Sequence, residues 1–184
     1  MDAFKFELSG EEKAYLKALA RDSIAARLAG QHGWTPPEPP TDKLRQPLGA
    51  FVTLTIGGRL RGCIGNLSAG VPLYRTISDM ARSAAFEDPR FPPLPGEELP
   101  GVELEISILG PITRCPDPGL VEVGRHGLIA VRGGRQGLLL PQVPEEWKWD
   151  RETFLDQTCR KAGLPPDAWR MPGTEIYWFE AEVF

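Results

Sequence analysis

The stretch GGRLRGCIG, residues 57–65, sets one thiol and two arginines among four glycines. A cysteine becomes a nucleophile when nearby cations or backbone amides favour its thiolate. Arg61, two residues before Cys63, could supply that field, and the amides around Gly62 and Gly65 form a candidate oxyanion hole. Bare glycine backbone also lets a substrate approach closely. The competing reading makes Cys63 a small apolar filler beside Val52 and Leu54, a common fate of free cysteine.

A cysteine nucleophile needs a base, and the chain holds two histidines, His32 and His126. His32 follows the end of a predicted helix and reads as a surface residue. His126 is a candidate base for a Cys–His pair, against the alternative of a local hydrogen bond at a strand start. Arg61 and Arg90 are candidates to clamp a carboxylate or phosphate, with Asp88 orienting them. Asp88-Pro89-Arg90-Phe91 also reads as a plain helix-stop turn. Gln142 offers an amide to a ligand or to neighbouring backbone. Cys159 falls on an apolar helix stripe and reads as core, and nothing beside Cys115 suggests activation.

Composition narrows the field. The net charge of −4 gives no general electrostatic reason to bind nucleic acid or an anionic membrane. Arginine nevertheless supplies 15 of the 21 cationic residues, which suits bidentate recognition of anions. The three cysteines at 63, 115 and 159 are odd in number and widely spaced, with no CxxC. That spacing argues against a zinc site or a disulfide framework and fits reduced thiols in a cytoplasmic setting. No paired metal ligands, P-loop or GxGxxG after a strand occurs, so neither a metal nor a cofactor is expected. The opening MDAFKFELSG lacks the pattern of a secretory leader, and no apolar run is long enough to span a membrane.

The elements that must position these residues follow from periodicity. Ser9 and Glu12 have capping-box spacing, and Leu16, Leu19, Ala20, Ile24 and Leu28 continue as a helical stripe that Gly30 can stop. AFVTLTI and RLRGCI flank Gly57-Gly58 and predict a tight hairpin. A two-residue loop pairs Ile56 with Arg59, Leu54 with Arg61 and Val52 with Cys63, which puts Arg61 and Cys63 on one face. Residues 71–89 predict a helix ended by Asp88-Pro89. VELEISIL alternates as a half-exposed strand, and a second hairpin turns at Gly133-Gly134, with His126 at its start and Gln142 at its end. A helix begins near Asp150, and TEIYWFEAEVF closes the chain as one strand. Trp147, Trp149, Trp169 and Trp178 read as packing residues, since no basic stripe accompanies them. Hairpins with separated helices indicate an α+β fold with an antiparallel sheet, and the length suits a single domain over 1–184 with a smaller lobe inside it.

LRGCIG at 60–65, DPRF at 88–91, HGL at 126–128, GLLLPQV at 137–143 and FLDQTCRKAGL at 154–164 stand in an order that resembles the AMMECR family, named after a human chromosomal region linked to Alport syndrome, midface hypoplasia and elliptocytosis. The resemblance implies a two-lobed α+β fold with the LRGCIG hairpin near a cleft between the lobes. It also implies Memo-like and radical-SAM proteins as partners, and the roles proposed for the family include nucleic-acid metabolism and translation. Three readings stay open: a cysteine-dependent enzyme acting on a small anionic substrate, a non-catalytic ligand-binding or accessory module, and a nucleic-acid-related role.

Overall fold

Ser9 opens the first helix, α1 (Gly10–Leu28), through the capping box its spacing predicts. The Ser9 hydroxyl accepts from the Glu12 amide, and the Glu12 carboxylate accepts from the Ser9 amide, so two orphan donors are satisfied. The computed structural model describes residues 6–67 and 70–184. The chain forms two compact units, one of Phe6–Ile108 with Glu182–Phe184 and one containing Leu109–Ala181.

In the first unit, β1 (Ala50–Ile56) and β2 (Arg59–Asn66) form the expected hairpin, and α2 (Leu73–Phe86) follows. With β3 (Val102–Leu109) and β8 (Ala181–Val183) they build a sheet in the order β2-β1-β3-β8, antiparallel where β1 meets β2 and β3. Alternation along β1 buries Ala50, Val52 and Leu54 fully, and this face carries α2, against which α1 packs. Leu16, Leu19 and Ile24 of α1 and Leu73, Ile77 and Ala81 of α2 complete that core.

In the second unit, β4 (Thr113–Arg114), β5 (Gly127–Arg132), β6 (Arg135–Leu139) and β7 (Glu175–Phe179) pair antiparallel in the order β4-β7-β5-β6. The short α3 (Gln142–Glu146) precedes α4 (Arg151–Lys161), which packs on β5 and β6. Cys159 is fully buried in this core beside Phe154 and Leu155, and Cys115 is buried with them. Gly137 allows the close approach, because a Cβ there would lie 2.2 Å from the Ala162 backbone nitrogen.

Three expectations change. The closing strand is two: β7 ends at Phe179, and β8 pairs in the other sheet, where Ile106 and Phe184 exchange backbone hydrogen bonds. Gln142 opens α3 and does not end the hairpin, because β6 stops at Leu139 ahead of Pro141. Trp147 is 68% exposed and stacks on Trp149 at 6.1 Å, so it is not a core residue.

Candidate functional site

The hairpin turn is tight because Gly57 and Gly58 both take positive φ, 56° and 74°, as a two-residue primed turn requires. Ile56 pairs with Arg59 and Thr55 with Leu60, but a β-bulge then shifts the register. Leu54 pairs with Gly62, Thr53 with Cys63 and Val52 with Ile64, so the expected pairings of Arg61 with Leu54 and Cys63 with Val52 do not form. The extra residue is Arg61. The reason lies in α2: Gly62 faces it, and a Cβ on Gly62 would stand 2.0 Å from the Ala84 carbonyl oxygen. Only glycine fits at that position, and without the bulge an arginine would face the helix.

The bulge turns Cys63 to the face opposite Val52 and Leu54, beside Thr53 and near Glu105. Thr53 Oγ1 donates to Cys63 Sγ at 3.2 Å. Gly65 lies under the Phe51 ring, whose atoms would come within 2.2 Å of an added Cβ.

β2 is an edge strand, and its outward backbone groups at Cys63 are met by the DPRF turn. The Cys63 amide donates to Asp88 Oδ2 at 2.9 Å, while Arg90 Nη2 donates to the Cys63 carbonyl at 3.3 Å. Asp88 Oδ1 accepts from the Arg90 amide and from Arg90 Nε, and Asp88 Oδ2 accepts from Arg90 Nη2 at 2.7 Å. An ion pair thus supplies one donor and one acceptor where a neighbouring strand would, which closes the edge. The motif pair LRGCIG and DPRF is one structural joint. Arg61 fastens the loop that follows: its Nε donates to Glu98 Oε2 at 2.7 Å and its Nη1 to the Pro92 carbonyl at 2.9 Å.

The charges are settled by these contacts. Hydrogen bonds from the Arg90 guanidinium, helped by two backbone amides, hold the buried Asp88 carboxyl far below the usual carboxylate range. Burial pushes the Cys63 thiol up, and the Thr53 hydroxyl and Arg90 offset only part of that shift. At neutral pH Cys63 is a thiol. Arg61 and Arg90 each carry their own carboxylate, Glu98 and Asp88. The Arg90 side chain is 49% exposed, and its guanidinium also lies 5.5 Å from the Phe91 ring centre.

His126 and Gln142 belong to the other unit. His126 is buried, and its Nδ1 accepts from the Glu122 amide at 3.0 Å while the ring packs on Trp178 at 4.5 Å. A donor at Nδ1 leaves the proton of a neutral imidazole on Nε2. Burial, with Arg125 nearby, holds the His126 pKa below its ordinary value. Gln142 is half-buried at the start of α3. Among the described residues no three His, Cys, Asp or Glu side chains gather as metal ligands, and no helix is long and apolar enough to cross a membrane.

Thr53 and Glu98 were not legible as members of this site. Thr53 depends on the bulge, and Glu98 lies 37 residues from Arg61 with no local pattern to mark it.

Antiparallel sheets carrying helices make this an α+β protein. The family model AMMECR1 matches residues 17–184, and the chain belongs to that family. A protein of Methanothermobacter thermautotrophicus is 45% identical over 183 residues, covering 96% of this chain and 95% of that protein. A protein of Thermococcus gammatolerans is 44% identical over 189 residues, covering 97% and 92%. The crystal structure of the uncharacterized protein PH0010 from Pyrococcus horikoshii superposes with a TM-score of 0.87 at 41% identity, covering 97% of this chain and 93% of that one.

Proposed function

We propose that this chain works by recognition, as a non-catalytic ligand-binding or accessory module, with the Cys63 edge as its rigid frame. One observation carries the reading: the backbone N–H and C=O of Cys63 are both bonded to the Asp88–Arg90 pair. An amide already donating to a carboxylate is not available to an oxyanion, and a thiol pushed up by burial is a poor nucleophile. His126 adds support, since an imidazole that accepts at Nδ1 and carries its proton on Nε2 has no lone pair left for a base. The frame presents the Arg90 guanidinium to solvent beside the edge, with Phe91 half-buried next to it, which suits a small anion or an acidic partner surface. Memo-like and radical-SAM proteins are the partners that family resemblance suggests.

The rival reading, a cysteine-dependent enzyme acting on a small anionic substrate, draws on the Thr53 hydroxyl and the Arg90 cation, both of which favour charge on Sγ. One experiment separates the two: the pH dependence of alkylation at each cysteine of the folded protein, read by mass spectrometry. Recognition predicts that Cys63 titrates above the free-thiol value of about 8.5. It also predicts that binding to a Memo-like or radical-SAM partner survives Cys63→Ala and fails in Arg90→Ala. A Cys63 that reacts fastest and titrates well below that value refutes recognition and directs the search to acyl and amide substrates. The nucleic-acid reading predicts salt-sensitive binding to RNA or DNA, for which the net charge of −4 gives no support.

A further inference from the structure

A pocket of about 370 Å³ opens where the end of α1, the loop after it and α2 meet, and it shares no residue with the Cys63 edge. Ser23, Arg27, Gln31, His32, Trp34 and Arg82 line it, and among the described residues no acidic side chain does. That volume falls within the range of small-molecule sites, roughly 300–1,000 Å³.

The two arginines are held and not spare. Arg27 Nη1 bonds Glu87 at 3.1 Å, its guanidinium lies 5.1 Å from the Phe86 ring centre, and Arg82 Nη2 bonds Asp79. Each carboxylate takes one terminal nitrogen from outside the pocket, which orients the guanidinium and leaves further N–H groups to donate. A helix C-terminus would ordinarily repel an anion through its unpaired carbonyls. Here the Gln31 amide donates to the Ala26 carbonyl and the Gly30 amide to the Arg27 carbonyl, with Gly30 at φ 68°. This Schellman closure consumes those carbonyls and folds Gln31, His32 and Trp34 back over the pocket. Behind the wall, Ser23 Oγ donates to the Ser78 carbonyl, and the Ser78 hydroxyl is fully buried with no hydrogen-bond partner among the described residues.

We infer that this pocket binds a small anion carried on a planar ring, a phosphorylated or carboxylated heteroaromatic compound. The ring stacks on the Trp34 indole, a contact open to any planar ring through its π face. The anionic group lies between Arg27 and Arg82, whose N–H groups make charge-assisted hydrogen bonds to it. Gln31 and His32 supply donors and acceptors for the polar edge of the ring.

The test uses the intact protein and calorimetric titration, with the indole NMR signal of Trp34 as the local reporter. Adenosine monophosphate probes the phosphorylated source and indole-3-carboxylate the carboxylated one. Adenosine supplies a ring without charge, and inorganic phosphate supplies charge without a ring. At least one of the two ring anions is expected to bind saturably and about tenfold or more tighter than adenosine and phosphate alone. Arg27→Ala with Arg82→Ala is expected to weaken it by about tenfold or more, Trp34→Ala similarly, and Trp34→Phe far less. Thermal unfolding checks that each variant is folded, and Trp34→Phe keeps the test valid if Trp34→Ala is not. No saturable binding of either ring anion up to about 10 mM, or binding indifferent to the double arginine substitution in a folded variant, overturns the inference.

Discussion

Removing the Asp88 carboxylate should unfasten the edge of β2. Asp88 accepts from two backbone amides, those of Cys63 and Arg90, and from Nε and Nη2 of Arg90. A hydrogen bond to a charged group contributes about 1.5–3 kcal/mol, and an orphaned buried donor costs a similar amount. Arg90 is half exposed, so water replaces most of what its guanidinium loses, and that part is worth at most about 1 kcal/mol. The Cys63 amide is the group without ready relief. Asp88→Ala is therefore expected to cost about 3 kcal/mol, Asp88→Asn about 2, and Arg90→Ala about 1, since Asp88 then keeps both amides. Tryptophan fluorescence is the wrong probe, because four of the five tryptophans lie beyond residue 109, in the other unit. Urea unfolding by far-UV circular dichroism, with hydrogen exchange at the Cys63 amide, reads the right one. A change below about 0.5 kcal/mol in Asp88→Ala, with the Cys63 amide still protected, would refute the edge-closure argument. The pH dependence has a definite sign. The folded carboxyl lies below its unfolded value, so its stabilisation is complete above about pH 4 and is lost as the pH falls below that. The wild type should thus lose stability more steeply in acid than Asp88→Asn.

Other outcomes follow from the same geometry. Gly62→Ala forces a Cβ against the Ala84 carbonyl and should cost about 1–3 kcal/mol, more than Gly58→Ala, whose positive φ costs about 1 kcal/mol in open space. Paired urea titrations order the two. His126 should stay neutral below its ordinary value of about 6.5, and nitrogen NMR should find the proton on Nε2. Because its folded pKa is depressed, its contribution is complete above that value and is lost as the pH falls through it, a slope that His126→Gln should remove. Ser9→Ala deletes the cap of α1 and should cost about 1 kcal/mol by thermal or urea unfolding.

Local chemistry wrote much of this protein in its sequence. The stripe Leu16, Leu19, Ala20 and Ile24, the capping pair Ser9 and Glu12, and the stop at Gly30 fix α1 without reference to the rest of the chain. Gly57-Gly58 and Gly133-Gly134 fix two hairpin turns for the same reason, since few residues tolerate positive φ at consecutive positions. The motifs also hold residues that bond one another: Cys63, Asp88 and Arg90 meet, while Arg61 reaches past them to Pro92 and Glu98. What they do there depends on contacts between residues far apart in the chain. The bulge at Arg61 comes from the backbone of Ala84, which only Gly62 can approach, and a period-two pattern has no way to count an inserted residue. Asp88 closes the edge because the turn after α2 returns beside β2, 25 residues from the amide it accepts. Glu180 separates two strands that the sequence shows as one, because each half finds its hydrogen-bonding partners in a different sheet. Periodicity is set by each residue's immediate neighbours and survives in the sequence. Register, edge closure and the state of a thiol are set by what the fold brings alongside, and only the tertiary structure decides them.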